Sequence, residues 1–299
     1  MAKLYEHAYF GDKIISIGDA NLSIASSAVL YGLSVYSVFR IVSTRKGLAV
    51  FRLKEHHNRL INSAKIIGID TFENNWDFKR FKKAISEIAK ANKLKESVFV
   101  RVSVHVSELV PGTKSRGLET KLSMFIYEAN AIVPQNGARL KTSVWKRVPD
   151  SAIPARAKVN GAYVNSVLGK QDAIDSGYDD CLFLDNEGHV CELSASNIFL
   201  IRDGVLITPG VSSDILEGIN RKTILELAKS MKIPTQERTV DLTELYIADE
   251  VFACGTSTFI APIIEIDMRK INTGKITGKL KEKYADIMNG KNSKYLDFI

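Results

Sequence analysis

The feature that most constrains the fold is a pair of different hydrophobic repeats standing side by side in the first half of the chain. At residues 97–106, SVFVRVSVHV repeats valine at every second position, which is the period of a β-strand. At residues 77–92, DFKRFKKAISEIAKAN spaces its large apolar side chains by three and four, which is the period of a helix face. A strand with an apolar face has to bury it against another layer, so the chain is expected to pack helices against a sheet.

The same two repeats continue through the rest of the chain. Three pairs of apolar runs predict hairpins: residues 34–42 with 48–53, CLFLD with HVCEL, and NIFLI with VLITP. Further helices are predicted near 163–176, before a terminating Gly177, and at 220–232 and 279–290, whereas EVFACG and FIAPIIEI predict inner strands. The Pro and Gly of EANAIVPQNG indicate a connection between domains. The predicted fold class is α+β, with a small domain at 1–128, a linker at 129–137 and a large domain at 138–299.

Composition narrows the class of protein. With 299 residues, 45% hydrophobic and 25% charged, the chain has the balance of a globular protein with a large core. The formal net charge is +7, but the basic residues form no block and no zinc-finger pattern accompanies them, so no nucleic-acid partner is expected. Neither a membrane span nor a signal peptide is evident, so a cytoplasmic location is expected. Cys181, Cys191 and Cys254 lie in apolar runs and are expected to be reduced thiols.

The polar face of strand 97–106 and the histidines are candidate parts of a site. The second face of strand 97–106 carries Phe99, Arg101, Ser103 and His105, and is polar enough to line a site. Neither this histidine nor the neighbouring pair in KEHHNR has metal-ligand spacing with Cys or Asp, so the histidines are expected to be structural or solvated and no metal site is expected.

Lys158 stands in RAKVNGAYVNSVLGKQDA, five residues before Tyr163, and Glu192 follows in HVCELSASNIF. A lysine can form a Schiff base with an aldehyde cofactor, and a buried carboxylate can keep that cofactor's pyridine nitrogen protonated. Taken alone, a lysine is a solvated surface residue far more often than a nucleophile. The neighbouring sequence therefore has to decide between the two interpretations.

That neighbouring sequence resembles the branched-chain aminotransferases, which belong to the fold-type IV pyridoxal-phosphate enzymes. The resemblance extends over five segments in family order between about residues 30 and 265: LYGLSVYSVFR, FRLKEHHNRLINSAKII, the lysine segment, TPGVSSDILEGINRKTI and FACGTSTFIAPI. Collinearity over most of the chain is far more specific than any one motif. It implies two domains with the active site between them and pyridoxal 5'-phosphate as the cofactor.

The resemblance also implies a role for individual residues. Lys158 is the implied catalytic residue, which forms the Schiff base and shuttles the α-proton. The implied cofactor-binding residues are Arg59, Tyr163, Glu192, Ile219, Asn220 and Thr256. The implied substrate-binding residues are Tyr31, Tyr36, Val38, Arg101 and Ser257.

Elementary chemistry agrees with the implied phosphate site. A guanidinium such as that of Arg59 can bind two phosphate oxygens. In EGINR a glycine precedes Ile219 and Asn220 where a helix is predicted to begin, and a helix N-terminus offers unpaired N–H groups and the positive end of its dipole. Thr256 follows Gly255 and adds a hydroxyl. A glycine before a helix is weak evidence by itself. The four residues Arg59, Ile219, Asn220 and Thr256 are stronger evidence together because their segments follow the family order.

Some positions depart from the family pattern and bear on the substrate. Ser37 and Val38 stand where branched-chain enzymes usually have Glu-Gly, and Phe99 stands where a tyrosine is common. Leu193 replaces a usual glycine, and GTSTF, which contains Phe259, replaces the usual Gly-Thr-Ala-Ala-Glu. Since none of these changes removes Lys158 or a cofactor residue, they alter the expected substrate pocket and leave the cofactor chemistry intact.

The leading functional expectation is transamination of L-leucine, L-isoleucine or L-valine with 2-oxoglutarate, in a ping-pong reaction through Lys158. A D-amino-acid transaminase and an aminodeoxychorismate-type lyase on the same fold stay open, and a non-catalytic cofactor-binding protein is a further alternative. The smallest active unit is expected to be a homodimer, or part of a larger homo-oligomer, in which the loop at 107–117 reaches a neighbouring site.

Overall fold

The structure is a computed structural model that describes residues 3–299. The chain divides into two compact units with mixed helix and sheet content. The first unit comprises the described residues up to Asn130, together with Ala157–Ala162 and Ile287–Ile299. The second comprises Ala131–Arg156 and Tyr163–Asp286. Within residues 3–299, no helix is both long and apolar enough to span a bilayer.

The first unit is built on an eight-stranded antiparallel sheet. Its strands follow the order β17-β5-β4-β6-β7-β2-β3, with β1 also paired to β7. They are β1 (Lys3–Leu4), β2 (His7–Phe10), β3 (Lys13–Ser16), β4 (Ser34–Thr44), β5 (Gly47–Phe51), β6 (Val98–Val106), β7 (Thr120–Glu128) and β17 (Leu296–Phe298). The helices are α1 (Ser27–Leu30), α2 (Leu53–Ile66), α3 (Phe72–Asn75) and α4 (Phe78–Ala91).

The helical repeat at 77–92 and the strand repeat at 97–106 meet in this unit's core. The valine face of β6 is fully buried, and so is the apolar stripe of α4 that begins at Phe81. Asp77 caps α4 by accepting a hydrogen bond from the backbone N–H of Arg80 at 2.7 Å, which explains where the helix begins. The predicted hairpin forms from β4 and β5, but its second strand is shorter than predicted. Arg52 adopts a left-handed conformation, and Leu53 already begins α2.

Two segments group differently from the predicted domains, and the predicted linker at 129–137 is divided after Asn130 between the two units. Residues 157–162 lie against the first unit because they run antiparallel to the free edge of β4, with a bridge between Val35 and Val159. The C-terminus belongs to the same unit because β17 pairs with β5. Both pairings join residues more than 100 positions apart, which local sequence patterns do not reveal.

The second unit contains a sheet whose central strands close into a ring. The order is β10-β9-β8-β15-β14-β11-β12-β13, and an additional pairing between β10 and β11 closes the first six strands. The strands are β8 (Ala138–Thr142), β9 (Asp180–Leu184), β10 (Val190–Leu193), β11 (Asn197–Arg202), β12 (Val205–Pro209), β13 (Thr235–Arg238), β14 (Glu250–Gly255), β15 (Phe259–Ile266) and β16 (Arg269–Lys270). The ring closes at the backbone pair Glu192–Asn197.

The helices of the second unit confirm the predicted ones with shifted ends. They are α5 (Tyr163–Asp175), α6 (Ile219–Ser230), α7 (Leu242–Tyr246) and α8 (Lys275–Met288), whose last two residues are counted with the first unit. Gly177 follows α5 with a φ of +82°, a conformation that favours glycine, as its predicted role as a helix terminator requires. The hairpins β9–β10 and β11–β12 and the buried strands β14 and β15 also form as predicted.

Candidate active site

Lys158 is held by backbone pairing along β4. The N–H of Tyr36 donates to the carbonyl of Lys158 at 2.9 Å, and the N–H of Asn160 donates to the carbonyl of Ser34 at 2.9 Å. Strand geometry then puts Lys158 and Asn160 on the same sheet face as Tyr36. The lysine is half-buried and is therefore not a fully solvated surface residue, which the sequence alone left open.

Two cations meet the ring of Tyr36 on this face. The Nζ of Lys158 lies 4.7 Å and the guanidinium carbon of Arg101 lies 3.8 Å from the ring centroid. Arg101 also donates to the side-chain oxygen of Asn160 at 2.5 Å, and the Asn160 amide donates to Ser34 at 2.6 Å. An aromatic face stabilises adjacent cations, so Tyr36 partly offsets the repulsion between them. The structure therefore brings together three residues of the predicted site.

Arg59 lies on α2 and is oriented by a neutral hydroxyl. Its Nη2 donates to the hydroxyl of Ser37 at 3.3 Å, and that hydroxyl lies 2.9 Å from Nδ1 of His56. His56 is buried, and burial, together with the charges of Arg59, Lys158 and Arg52, lowers its pKa well below 6.5. Neutral His56 is therefore a structural residue, one of the two roles expected for the histidines.

A buried serine ties the arginine helix to the lysine segment. The hydroxyl of Ser63 donates to the carbonyl of Arg59 at 2.7 Å and accepts from the N–H of Lys158 at 3.0 Å. One hydroxyl can do both because it has one proton and two lone pairs. Ser63 thereby fixes the backbone of Lys158 relative to Arg59. It lies in the segment FRLKEHHNRLINSAKII, but the sequence analysis assigned it no role.

The polar face of β6 lines a cavity of about 530 Å³. Arg101, Ser103 and His105 contribute to its wall, as the alternation predicted, and Asn160 joins them. His105 lies 2.9 Å from the hydroxyl of Ser123, and burial beside Arg101 lowers its pKa to about 4. Apolar side chains line the remainder, including Phe10, Leu22, Met124 and Phe125.

In the second unit, Glu192 is the best-supported charged residue of the predicted site. It is 5% exposed, and its Oε1 lies 2.7 Å from Nη2 of Arg147. Its Oε2 accepts from the side-chain amide of Asn197 at 3.0 Å, and the N–H of Leu216 points at both oxygens at 3.3 Å. These donors favour the ionised carboxylate. Arg147 was missed by the sequence analysis, since VWKRVPD carries no signal that distinguishes it from a surface arginine.

The first turn of α6 has the features of an anion site. Gly218 precedes the helix in extended conformation, and a Cβ added there would collide with the Asn197 side-chain oxygen, so only glycine fits. Ile219 and Asn220 follow and are both buried, although helix starts are usually solvated. The side-chain amide of Asn220 donates to the hydroxyl of Thr256 at 3.2 Å, which joins two residues of the predicted phosphate site.

The remaining predicted residues have plainer settings. Tyr163 is half-buried at the first position of α5. Ser257 is half-buried in the turn after β14, and its carbonyl accepts from the N–H of Ile132 at 3.1 Å. Tyr31 directly follows α1 as its C-cap and is 48% exposed. Val38 is half-buried and pairs across the strands with Arg101.

Comparison with known proteins identifies the family. Residues 34–266 match the model of the amino-transferase class IV family. The chain belongs to the class IV aminotransferases. This confirms the resemblance predicted from the sequence and makes the protein a pyridoxal-phosphate-dependent aminotransferase.

Individual relatives of this aminotransferase match nearly its whole length. A probable branched-chain-amino-acid aminotransferase of Synechocystis is 33% identical over 303 residues, covering 100% of this chain and 98% of the relative. The structure of a branched-chain aminotransferase from Thermoproteus uzoniensis, crystallised with norvaline, superposes with a TM-score of 0.94 at 35% identity and 98% coverage of each chain. The T.th. branched-chain amino acid aminotransferase, complexed with N-(5'-phosphopyridoxyl)-L-glutamate, has a TM-score of 0.88 at 32% identity, again with 98% coverage of each chain.

The residues of this chain fit the cofactor of the family. A phosphate needs cationic and N–H donors. The first unit carries a guanidinium at Arg59, and the second unit carries N–H groups at the buried start of α6. A pyridinium nitrogen needs a carboxylate held in its ionised form, which the contacts of Glu192 provide. An aldehyde needs an amine, and Lys158 carries one. Its backbone is fixed by a hydrogen bond to its carbonyl, by another from its N–H, and by a third from the N–H of the neighbouring Asn160.

Proposed function

We propose that this aminotransferase moves the amino group of L-leucine, L-isoleucine or L-valine to 2-oxoglutarate in a ping-pong reaction. The observation that carries the proposal is the pairing of Lys158 and Arg101 on the ring of Tyr36. It sets an amine for covalent and proton chemistry beside a guanidinium able to bind a substrate carboxylate. The names of the near-full-length relatives support the branched-chain substrate, and the glutamate adduct of the T.th. enzyme supports the second substrate pair.

Lys158 is proposed to bind the cofactor and to carry the proton of the reaction. Bound pyridoxal phosphate supplies an aldehyde and an electron sink. With the cofactor bound, the Nζ of Lys158 would accept the proton of the substrate's α-carbon and hold it for return during the exchange. Tyr36 below the amine restricts its position, and Ser63 keeps its backbone from moving with the side chain.

The other assigned residues are proposed to hold the cofactor. Arg59, the backbone N–H groups of Ile219 and Asn220, and the hydroxyl of Thr256 bind the phosphate. Glu192, held by Arg147, accepts the N–H of the pyridine ring and keeps its nitrogen protonated. Tyr163 donates to the phenolic oxygen of the cofactor.

A third group of residues is proposed to select the substrate. Arg101 and the backbone near Ser257 bind carboxylate groups, while Tyr31, Tyr36 and Val38 contact the substrate side chain. Val38 adds bulk directly opposite Arg101 on the paired strand, so the pocket is expected to be tighter than one with glycine there.

The test of the proposed reaction is a substrate panel. Purified holoenzyme is mixed with L- and D-amino acids and 2-oxoglutarate, and glutamate formation is measured. Turnover of L-leucine, L-isoleucine or L-valine is expected. Reaction with D-amino acids alone would replace the proposal by a D-amino-acid transaminase, and pyruvate release from aminodeoxychorismate without an amino acceptor would replace it by a lyase.

We also propose that the active protein is a homodimer. An apolar patch on the first unit combines the segment 24–31 with Leu109 and Val110, joined by a bridge between Ser26 and Leu109. Ile24 is 84% and Val110 70% exposed, and a monomer rarely leaves such side chains together in water. Covering them with a second copy would also bring the 107–117 loop to that copy. Light scattering at assay concentration is expected to give a dimer or larger homo-oligomer, and an active monomer would refute this.

A cytoplasmic location is proposed on the state of the cysteines. Cys181, Cys191 and Cys254 are all buried free thiols, and burial raises the pKa of each. Proteins that keep their thiols reduced are typical of the cytosol. Cell fractionation with an antibody to the protein would test it.

A further inference from the structure

A buried tyrosine on the last helix contacts the residues proposed to bind phosphate. Tyr284 lies on α8 and is 3% exposed. Its hydroxyl donates to the side-chain oxygen of Asn220, in the first turn of α6. Asn220 in turn donates through its side-chain nitrogen to the hydroxyl of Thr256, in the turn after β14, at 3.2 Å. Three separate elements of the second unit are thus joined by two consecutive hydrogen bonds.

These hydrogen bonds run in one direction. A carboxamide has an acceptor end and a donor end, and Tyr284 engages the acceptor end, which turns the donor end toward Thr256. A phenol is a better donor than an aliphatic hydroxyl because it is more acidic, and this favours the same direction. Because Thr256 accepts from Asn220, its own proton points to another acceptor. The last hydroxyl of this series of hydrogen bonds, that of Thr256, is therefore oriented as a donor that suits an anionic oxygen.

Burial gives Tyr284 control over this arrangement. Asn220 is 4% exposed, so water has little access to an amide that loses its partner. If the amide turned over, its oxygen would face Thr256 and would accept the threonine proton. That proton would then no longer be available to a phosphate, and the tyrosine hydroxyl decides between the two orientations.

We propose that Tyr284 is a positioning residue for phosphate binding, which orients the Asn220 amide so that the Thr256 hydroxyl donates to the phosphate of the cofactor. The inference rests on the proposed role of Asn220 and Thr256 in holding that phosphate. Tyr284 itself touches neither cofactor nor substrate in this scheme. Its segment, KLKEKYADIMNG, was predicted as a helix from periodicity and carried no functional assignment.

The test removes one oxygen atom. Tyr284→Phe preserves the shape of the side chain, and the affinities of the apoenzyme for pyridoxal phosphate and for pyridoxal, which lacks the phosphate, are measured by equilibrium dialysis. Affinity for pyridoxal phosphate is expected to fall about tenfold, the equivalent of one hydrogen bond, while affinity for pyridoxal stays the same. A merely structural tyrosine would weaken both ligands together, and that result would overturn the proposal.

Two further variants complete the test. Tyr246→Phe is the matched control, because it also removes a tyrosine hydroxyl of the second unit, one that donates to Asp267 at 2.8 Å, and it is expected to leave the ratio of the two affinities unchanged. Thr256→Val tests the proposed function itself, because it removes the hydroxyl that is proposed to donate to the phosphate. If Thr256→Val lowers the preference for the phosphorylated ligand and Tyr284→Phe does not, the role of Tyr284 is refuted while that of Thr256 stands. If neither variant changes the preference, both assignments are refuted.

Discussion

Arg59 in the first unit is half-buried and Glu192 in the second is buried, and each makes a contact of a different kind. Arg59 is oriented by a neutral hydroxyl, that of Ser37, which in turn contacts a neutral imidazole. Glu192 is paired with a full opposite charge, that of Arg147, and further held by amide donors. The contact with Ser37 positions the charge of Arg59 without cancelling it, whereas the contacts of Glu192 secure its ionised state.

This difference matches what each group is proposed to bind. A phosphate dianion brings its own negative charge, so a carboxylate beside the arginine that receives it would compete with the ligand. A pyridine nitrogen is protonated only beside a carboxylate that remains ionised, so the glutamate benefits from a permanent partner. Position 37, where the family usually has glutamate, carries a serine here, and this residue orients Arg59 without adding a competing charge.

The largest expected effect is on turnover, and it comes from Lys158 and not from either of these two charged residues. Lys158→Ala should lower turnover roughly 10³-fold or more, since alanine offers no amine, while cofactor still binds non-covalently. Borohydride reduction followed by mass spectrometry should show a cofactor adduct on the parent chain and none on the variant. Lys54→Ala, an exposed lysine on α2, is the control and should behave as the parent. Full activity in Lys158→Ala would end the assignment.

The next effect tests whether Glu192 depends on its counter-charge. Arg147→Met leaves a buried carboxylate without its cation, and breaking such a pair typically costs about 3–5 kcal/mol of folding stability. Urea unfolding of the apoenzyme measures the change. Arg156→Met, which breaks exposed pairs with Asp150 and Glu217, should cost less than about 1 kcal/mol. Equal losses in the two variants would show that the Arg147 pair is not special.

A smaller effect is expected at Arg59, whose proposed role is to bind a ligand. Arg59→Ala should weaken retention of pyridoxal phosphate by roughly 1.5–3 kcal/mol, the value of a charge-assisted hydrogen bond. Dialysis followed by assay of bound cofactor measures this, with the exposed Arg80→Ala as control. Unchanged retention would return Arg59 to the status of an ordinary helix residue.

The neutrality of His56 predicts a pH dependence with a definite sign. Its pKa is lowered in the folded protein, so between that value and 6.5 only the unfolded chain takes up the proton, and stability falls as the pH is lowered through this window. One pH unit below 6.5 the cost is about 1.4 kcal/mol. Urea midpoints at pH 7.5 and 5.5 should therefore differ more for the parent than for His56→Gln. Because His57 and His105 are shifted in the same direction, only the difference between the two proteins reports on His56.

The smallest effect concerns the substrate side of the first unit. Val38→Gly opens space opposite Arg101 and should raise kcat/KM for leucine relative to alanine several-fold, the value of about one methylene. Glycine within a strand should cost about 0.5–1 kcal/mol of stability. An unchanged ratio would mean that Val38 does not form the wall of the side-chain pocket.

The sequence predicted the groups that are proposed to carry the chemistry, but not the residues that orient them. Lys158, Arg59 and Glu192 stand in segments whose order is specific, and the structure gives each a defined environment. Arg147 and Tyr284 stand in segments that look like an ordinary loop and an ordinary helix, and Ser63 lies in the same family segment as Arg59 but was assigned no role there. Their importance comes from hydrogen bonds to residues between 45 and 95 positions away, such as those from Tyr284 to Asn220 and from Lys158 to Ser63, and a linear pattern contains no record of such a distance.

What the sequence determined by itself was local: the alternation that makes β6 a strand, the spacing that makes α4 a helix, and the glycine that ends α5, each fixed by backbone sterics and side-chain period. What only the tertiary structure decided was which edge of β4 received residues 157–162 and which buried charge received a counter-charge. Pairing at a sheet edge and compensation of charge depend on groups brought together by folding. Their energies are set by distance and by exclusion of water, and neither quantity exists before the chain is folded.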